Sequence, residues 1–219
     1  MRNSTRLLCI SFCFIALPGF SQITKGAVFL GGDLGVFTSK TTASSGDEIN
    51  KYHTISISPV VGKAIKENLV LGWMGNFGFV ENDNNGAPQD QKINTYSLGV
   101  FVRKYQVIGK SGFSIFLQGD LSGKFLDSRY FSPPDYRSHT KSWGTGIAIR
   151  PGISYTVSKR LQLESGFNNL LYLEWFSQRM EVKSQTTEVY KTKGINLLSS
   201  LNNPYSSLYL GFRLLLGGK

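Results

Sequence analysis

Apolar side chains recur at every second position through most of this chain, and after the first residues they never run together long enough to make a membrane-spanning helix. A two-residue repeat places alternate side chains on opposite faces of a β-strand, so each such stretch is a strand with one apolar and one polar face. In Ala27 to Phe37, Val28, Leu30, Leu34 and Val36 oppose Gly31, Asp33 and Gly35. From Tyr52 to Gly62, Ile55, Ile57 and Val61 oppose Thr54, Ser56, Ser58 and Gly62. Leu69 to Val80 sets Leu69, Leu71, Trp73, Phe77 and Phe79 against Gly72, Asn76 and Gly78. In Asn94 to Tyr105, Tyr96, Leu98, Val100 and Val102 face away from Thr95, Ser97, Gly99 and Arg103.

The second half continues the scheme. Phe113 to Phe125 alternates Phe113, Ile115, Leu117 and Leu121 with Ser114, Gln118, Asp120 and Ser122. Ser142 to Val157 alternates Trp143, Ile147, Ile149, Ile153 and Tyr155 with Gly144, Gly146, Arg150, Gly152 and Ser154. Leu161 to Tyr172 begins regularly, with Leu161 and Leu163 against Gln162 and Glu164, and loses the pattern from Asn168 onward. Ser206 to Leu216 closes the series, with Leu208, Leu210, Phe212, Leu214 and Leu216 opposite Tyr209, Gly211 and Arg213.

The connections alternate in length. Short ones follow the second, fourth and sixth strands (Lys63 to Asn68, Gln106 to Gly112, Ser158 to Arg160). Long polar ones follow the first, third, fifth and seventh (Thr38 to Lys51, Glu81 to Ile93, Leu126 to Lys141, Ser177 to about Tyr205). The expected fold is therefore all-β: an eight-stranded antiparallel up-and-down transmembrane β-barrel with short periplasmic turns and long extracellular loops.

The direction of the apolar face separates this barrel from a soluble one. A lipocalin-like barrel or a sandwich would bury the apolar face and fill itself with large apolar residues. Here the polar face is rich in glycine and small polar residues, a set that a narrow lumen can hold. Aromatic residues recur near strand ends, where interfacial girdles belong: Tyr52, Trp73, Phe79, Tyr96, Tyr105, Phe113, Phe125, Trp143, Tyr155 and Trp175.

The N-terminus agrees with export. Arg2 and Arg6 precede an apolar run from Leu7 to Leu17, and Pro18, Gly19 and Ser21 follow it, which is the layout of a signal peptide over residues 1–21. The barrel domain is then 22–219. The run is too short for an anchor, which takes roughly 20 apolar residues. Cys13 follows the bulky Phe12, so a lipoprotein site is not expected. Both cysteines, Cys9 and Cys13, lie in this segment, so the mature chain is expected to have no disulfide and no cysteine nucleophile.

Net charge falls from +10 to +8 when Arg2 and Arg6 leave. Export argues against nucleic acid as the partner. The basic residues gather at turns (Lys63, Lys66, Lys110, Lys159, Arg160) and loops (Arg129, Arg137, Lys141, Arg179, Lys183, Lys191, Lys193). That placement fits anionic lipid head groups at both faces, and it fits a plain solvated rim equally well.

Six charged residues fall on the lumen face: Asp33, Arg103, Asp120, Arg150, Glu164 and Arg213. Arg103, Glu164 and Arg213 lie low, near the periplasmic strand ends, and Asp33, Asp120 and Arg150 lie higher. Three acids balance three arginines, as a cavity that penalises unpaired charge requires. Arginine–carboxylate pairs would link strands across the lumen and leave no open channel; separately hydrated charges are the alternative.

Enzyme signals are weak. Of the two histidines, His53 opens the second strand and His139 adjoins Ser138, which does not assemble a triad. No histidine and serine sit two apart on a strand, as in barrel-borne lipid-A deacylases. Asp83-Asn84-Asn85-Gly86 resembles part of a calcium loop and lacks the downstream glutamate. No catalytic residue, metal or cofactor is expected. Pro133-Pro134-Asp135 makes the third loop stiff and turn-rich.

Several segments carry a family resemblance. Ser58-Pro59-Val60-Val61-Gly62 with Asn68-Leu69-Val70-Leu71-Gly72 looks like the second hairpin of small outer-membrane barrels of Bacteroidota. Gly99-Val100-Phe101-Val102-Arg103-Lys104-Tyr105, Arg150-Pro151-Gly152-Ile153-Ser154-Tyr155 and Leu161-Gln162-Leu163-Glu164-Ser165-Gly166-Phe167 match its fourth, sixth and seventh strands. In order and spacing the chain resembles the porin-like outer-membrane β-barrel domain family, related in architecture to the OmpA transmembrane domain and OmpX. The resemblance implies localisation in the outer membrane of a Gram-negative bacterium, among lipid and lipopolysaccharide. It also implies delivery by periplasmic chaperones and insertion by the barrel-assembly machinery, which reads a C-terminal strand signal. Tyr209, Gly211, Leu214 and Leu216 match that signal, although the chain ends Leu216-Gly217-Gly218-Lys219 rather than on an aromatic residue. No peptidoglycan-binding domain follows, so a wall-anchoring role is not expected. The resulting expectation is a non-enzymatic membrane protein that stabilises the envelope or presents external loops to a partner, whose identity the residues leave open. A narrow pore for small solutes is the alternative, and a lipid-modifying enzyme the least favoured.

Overall fold

The computed structural model describes residues 23–42, 48–83, 90–132, 136–167, 169–184, 186–199 and 208–217. The signal segment 1–21, Asn84 to Gly86 of the calcium-like run and the prolines at 133 and 134 lie outside the described residues. Ten strands follow: β1 (Val28–Thr42), β2 (Glu48–Lys66), β3 (Leu69–Asp83), β4 (Asp90–Val107) and β5 (Phe113–Ser132). The second half holds β6 (Tyr136–Thr156), β7 (Leu161–Phe167), β8 (Leu171–Lys183), β9 (Thr187–Leu198) and β10 (Leu208–Leu216). Consecutive strands pair antiparallel from β1 to β6, and the β5–β6 and β1–β10 pairings close the sheet on itself.

The ten strands fill eight positions in the wall. β7 pairs with the lower part of β6 (Gly152↔Gly166) and β8 with its upper part (Ile149↔Leu171), so together they form the seventh wall strand, broken around Asn169. β9 pairs with β8 and β10 pairs with β7, so these two form the eighth. β10 closes the lower barrel against β1 from Val28↔Leu216 to Asp33↔Gly211. Above Asp33, β1 pairs only with β2 among the described residues.

At one end the chain turns tightly. β2 and β3 are joined by Glu67 and Asn68 alone, and Asn68 takes the left-handed conformation (φ 56°) that asparagine tolerates. At the other end the strands run far past the lengths expected from alternation. Most of what reads as long loop is β-ladder: β5 reaches Ser132 and β6 starts at Tyr136, and the segment after the seventh strand contains β9. Above the apolar belt both faces of each ribbon meet water. The two-residue hydropathy signal disappears there although backbone pairing continues.

The pleat places the apolar face outward. Leu34, Leu98, Trp143, Ile195 and Leu210 are among the most exposed side chains, each at 64–78% of its free area. The interior is polar in its upper half. Its lower half differs from the glycine-and-small-polar lumen expected from sequence: Phe29, Phe101, Tyr105 and Phe116 are buried there with Val70, Met74 and Ala64. Tyr105 thus belongs to the interior and not to the girdle, and Tyr52 also points to the lumen side, edge-on to Phe37. Ile23 and Ala27 close the short-turn mouth, held by backbone and side-chain bonds between Ile23 and Asn68.

Glycines make room for these rings. A Cβ on Gly152 would sit on the Phe116 ring, and one on Gly72 would lie 2.7 Å from the Phe101 ring. Gly152→Val is therefore expected to cost about 1–3 kcal/mol by overpacking. The check is the temperature at which the folded form is lost on semi-native gels. An unchanged temperature would mean that Phe116 can swing away freely.

Candidate functional site

The polar side chains inside the wall meet at two levels. At the lower level β4 contributes Arg103, β7 contributes Glu164 and β10 contributes Arg213, each the inward residue of its pleat. Arg103 Nη1 lies 2.6 Å from Glu164 Oε1, and Arg213 Nη2 lies 3.1 Å from Glu164 Oε2. One carboxylate thus bridges two arginines. All three side chains are essentially inaccessible to solvent.

Most of the remaining donors are also used, while among the described residues the buried Arg213 Nε has no hydrogen-bond partner. Arg103 Nε donates to Gln118 Oε1 (2.8 Å) and its Nη1 to the Tyr105 hydroxyl (3.0 Å), which in turn donates to Glu164 (2.9 Å). Arg213 Nη1 donates to the carbonyl oxygens of Gly32 and Phe212. Aromatic rings surround the guanidinium groups: Arg103 lies 4.3 Å from the Phe116 centroid and 5.2 Å from that of Phe29. Cations over ring faces gain from the ring quadrupole, most of all where water is excluded. Arginine suits this place because its guanidinium carries several donors for separate acceptors and packs against aromatic rings.

At the upper level Arg150 Nη2 reaches Asp120 Oδ2 at 3.1 Å, joining neighbouring β6 and β5. Higher still, Lys124 Nζ meets Glu174 Oε1 at 2.9 Å, with Tyr172 beside the ammonium group. Asp33 stands apart: among the described residues it forms no salt bridge. It lines a polar cavity of about 290 Å³ with Ser58, Asn76, Ser122, Arg150 and Tyr172. The lumen thus narrows from this cavity to the arginine–glutamate cluster and ends in the aromatic core below.

Of the six lumen charges expected from sequence, five are in ion pairs and Asp33 is not. Sequence reasoning missed Tyr105, Gln118, Lys124 and Glu174 as members of these networks. Gln118 and Lys124 share the two-residue phase of Asp120, which was the available signal; Glu174 lies past the break that hides the phase of the seventh strand. In the C-terminal strand, Tyr209 and Gly211 face the lumen while Leu214 and Leu216 face out. The histidines lie elsewhere: His53 Nδ1 contacts Thr38 Oγ1 at 3.2 Å, and His139 Nε2 contacts Asp127 Oδ2 at 3.0 Å.

The fold and lumen define a class: a closed antiparallel β-barrel that is apolar outside and charged within. No family model and no curated protein matches the chain. Among solved structures it is similar to a major outer membrane protein from Thermus thermophilus, with 13% sequence identity and a TM-score of 0.42, over 87% of this chain and 99% of that one.

Proposed function

We propose that the chain is an integral, non-enzymatic outer-membrane β-barrel whose lumen is plugged by paired charges. One observation carries this reading: a belt of exposed aliphatic and aromatic side chains runs around the closed wall while the buried charges lie inside it. Burying a large apolar side chain is worth about 1.5–3 kcal/mol. Water would leave that gain unmade at dozens of positions, and hydrocarbon supplies it. A closed barrel also satisfies its backbone within the bilayer, and such barrels populate outer membranes. The signal-like segment at 1–21 supports export to that compartment.

In this reading the short turns lie in the periplasm, and the extended ribbons of β1 to β6, β8 and β9 stand outside the cell. They stabilise the envelope or bind an external partner. The resemblance to the porin-like barrels of Bacteroidota, OmpA and OmpX supports chaperone delivery and assembly-machine insertion through Tyr209, Gly211, Leu214 and Leu216. Lipid and lipopolysaccharide surround the belt.

The test is fractionation with the outer membrane as a band that migrates fast unheated and slowly after boiling. Absence from that fraction would defeat the membrane reading. Planar-bilayer recording addresses the plug, and no large stable conductance steps are expected. Such steps would favour a narrow pore, the reading to which the cavity beside Asp33 lends some support. Unchanged lipid-A mass spectra on gene deletion are expected of a non-enzyme.

A further inference from the structure

On the outer face of β6, β8 and β9, Lys141, Arg179 and Lys191 stand in one row, registered Lys141↔Arg179 and Arg179↔Lys191. Adjacent strands are about 4.8 Å apart, so three cations crowd into roughly 10 Å of sheet. Lys193 lies on the same face two residues along β9, opposite Ser177. All four side chains are exposed, and among the described residues none forms an ion pair.

The nearby carboxylates are engaged elsewhere. Asp127, which completes the row beside Lys141, is bound by His139 at 3.0 Å and Arg129 at 3.3 Å. The closer of these contacts is with the imidazole. Burial alone would raise the Asp127 carboxyl; the bond from His139 and the charges of His139 and Arg129 hold it below the usual range. Glu181 pairs with Lys183, and Glu174 points into the lumen toward Lys124. Like charges directly opposite each other on neighbouring strands repel. A row of three invites an anion between them.

The row's height says which anion. Trp143 lies two residues below Lys141 on the same face, and Trp175 lies four below Arg179; both indoles are exposed. Interfacial tryptophans mark the edge of the hydrocarbon layer. Two strand residues add about 7 Å, which reaches the head-group layer. Below the cations the same face continues as Ile195 and Leu197, a surface for acyl chains.

We propose that Lys141, Arg179, Lys191 and Lys193 bind the phosphate groups of an outer-leaflet lipid head group, with its acyl chains against Trp143, Trp175, Ile195 and Leu197. The assignment rests on the membrane reading above. Apolar surface continuous with the cations favours a lipid phosphate over a free anion.

The experiment compares the purified protein with a variant carrying Lys141→Gln, Arg179→Gln, Lys191→Gln and Lys193→Gln, both in detergent micelles. Heat-modifiable migration is measured first, and it is expected to be the same for both. Bisphosphorylated lipid A and its dephosphorylated form are then titrated, with bound lipid counted by native mass spectrometry. The wild-type protein is expected to prefer the phosphorylated lipid on the order of a hundredfold, and the variant to lose that preference, given the contribution of each basic residue at an anionic surface. Equal retention by folded wild type and variant would overturn the site while leaving the barrel intact. Displacement of the lipid by millimolar inorganic phosphate would overturn it as a lipid site. Loss of heat-modifiable migration in the wild type would instead defeat the membrane reading, and the site with it.

Discussion

Glu164→Ala is expected to destabilise the barrel by about 3–5 kcal/mol, because it leaves two buried arginines without their shared counter-charge. Arg103 and Arg213 approach opposite oxygens of this one carboxylate, and neither can turn to water from the lower lumen. Tyr105 would also lose the acceptor of its hydroxyl proton. Glu164→Gln keeps the shape and one acceptor oxygen but not the charge, so its effect should be smaller than that of alanine and still large. Asp33→Asn is the control, since Asp33 is in the lumen without a salt bridge. It should cost little, within about 1 kcal/mol as for substitutions that break no buried pair. The measurement is the temperature at which the fast-migrating folded band disappears for each variant. If Glu164→Ala and Asp33→Asn shift it equally, the lower cluster does not hold the strands together.

Ile147→Arg carries the second large effect, and its sign separates two kinds of barrel. Ile147 is 57% exposed on the outer face of β6, in register with Leu121 on β5 and Leu173 on β8. In water, adding a charge at so exposed a position changes stability within about 0.5 kcal/mol. Facing the middle of a bilayer, the same arginine costs about 2–4 kcal/mol. Refolding yield into phospholipid vesicles should therefore fall sharply, while Lys141→Gln, above the tryptophan belt, should leave it near wild type. An Ile147→Arg chain that folds as well as wild type would mean that this face does not contact lipid.

In the proposed reading, the plug and the belt constrain each other. An apolar exterior removes the usual core from the protein, so the strands must be cross-linked from within. The ion pairs link wall strands: Arg150 and Asp120 join the neighbouring β6 and β5, and Arg103 reaches Glu164 across the lumen, 61 positions along the chain. The aromatic rings around Arg103 exclude water from that contact, which strengthens its electrostatics. In that reading the same packing closes the lower lumen, so stability and closure come from one set of residues.

Alternation alone determined the strands within the belt and the faces of their residues, from Val28 to Val36 in the first strand and at the matching heights of each later one. It placed Arg103, Glu164 and Arg213 at one level and Asp33, Asp120 and Arg150 at another, because a strand's pleat fixes both face and height. The short connections were legible from their polar, turn-forming residues, although of the expected Lys63–Asn68 connection only Glu67-Asn68 is turn and Lys63–Lys66 belongs to β2. The extensions beyond the belt were not, since Thr38 to Thr42 and Thr187 to Lys193 meet water on both faces and carry no two-residue period. Nor was the division of the seventh and eighth wall strands into β7 with β8 and β9 with β10, which depends on pairings far apart in sequence. Only the closed tertiary structure decided that Phe29, Phe101, Tyr105 and Phe116 converge around one guanidinium, and that Asp33 is left out of the pairs. Each of those rings is an ordinary strand residue by local pattern; curvature and register bring them together.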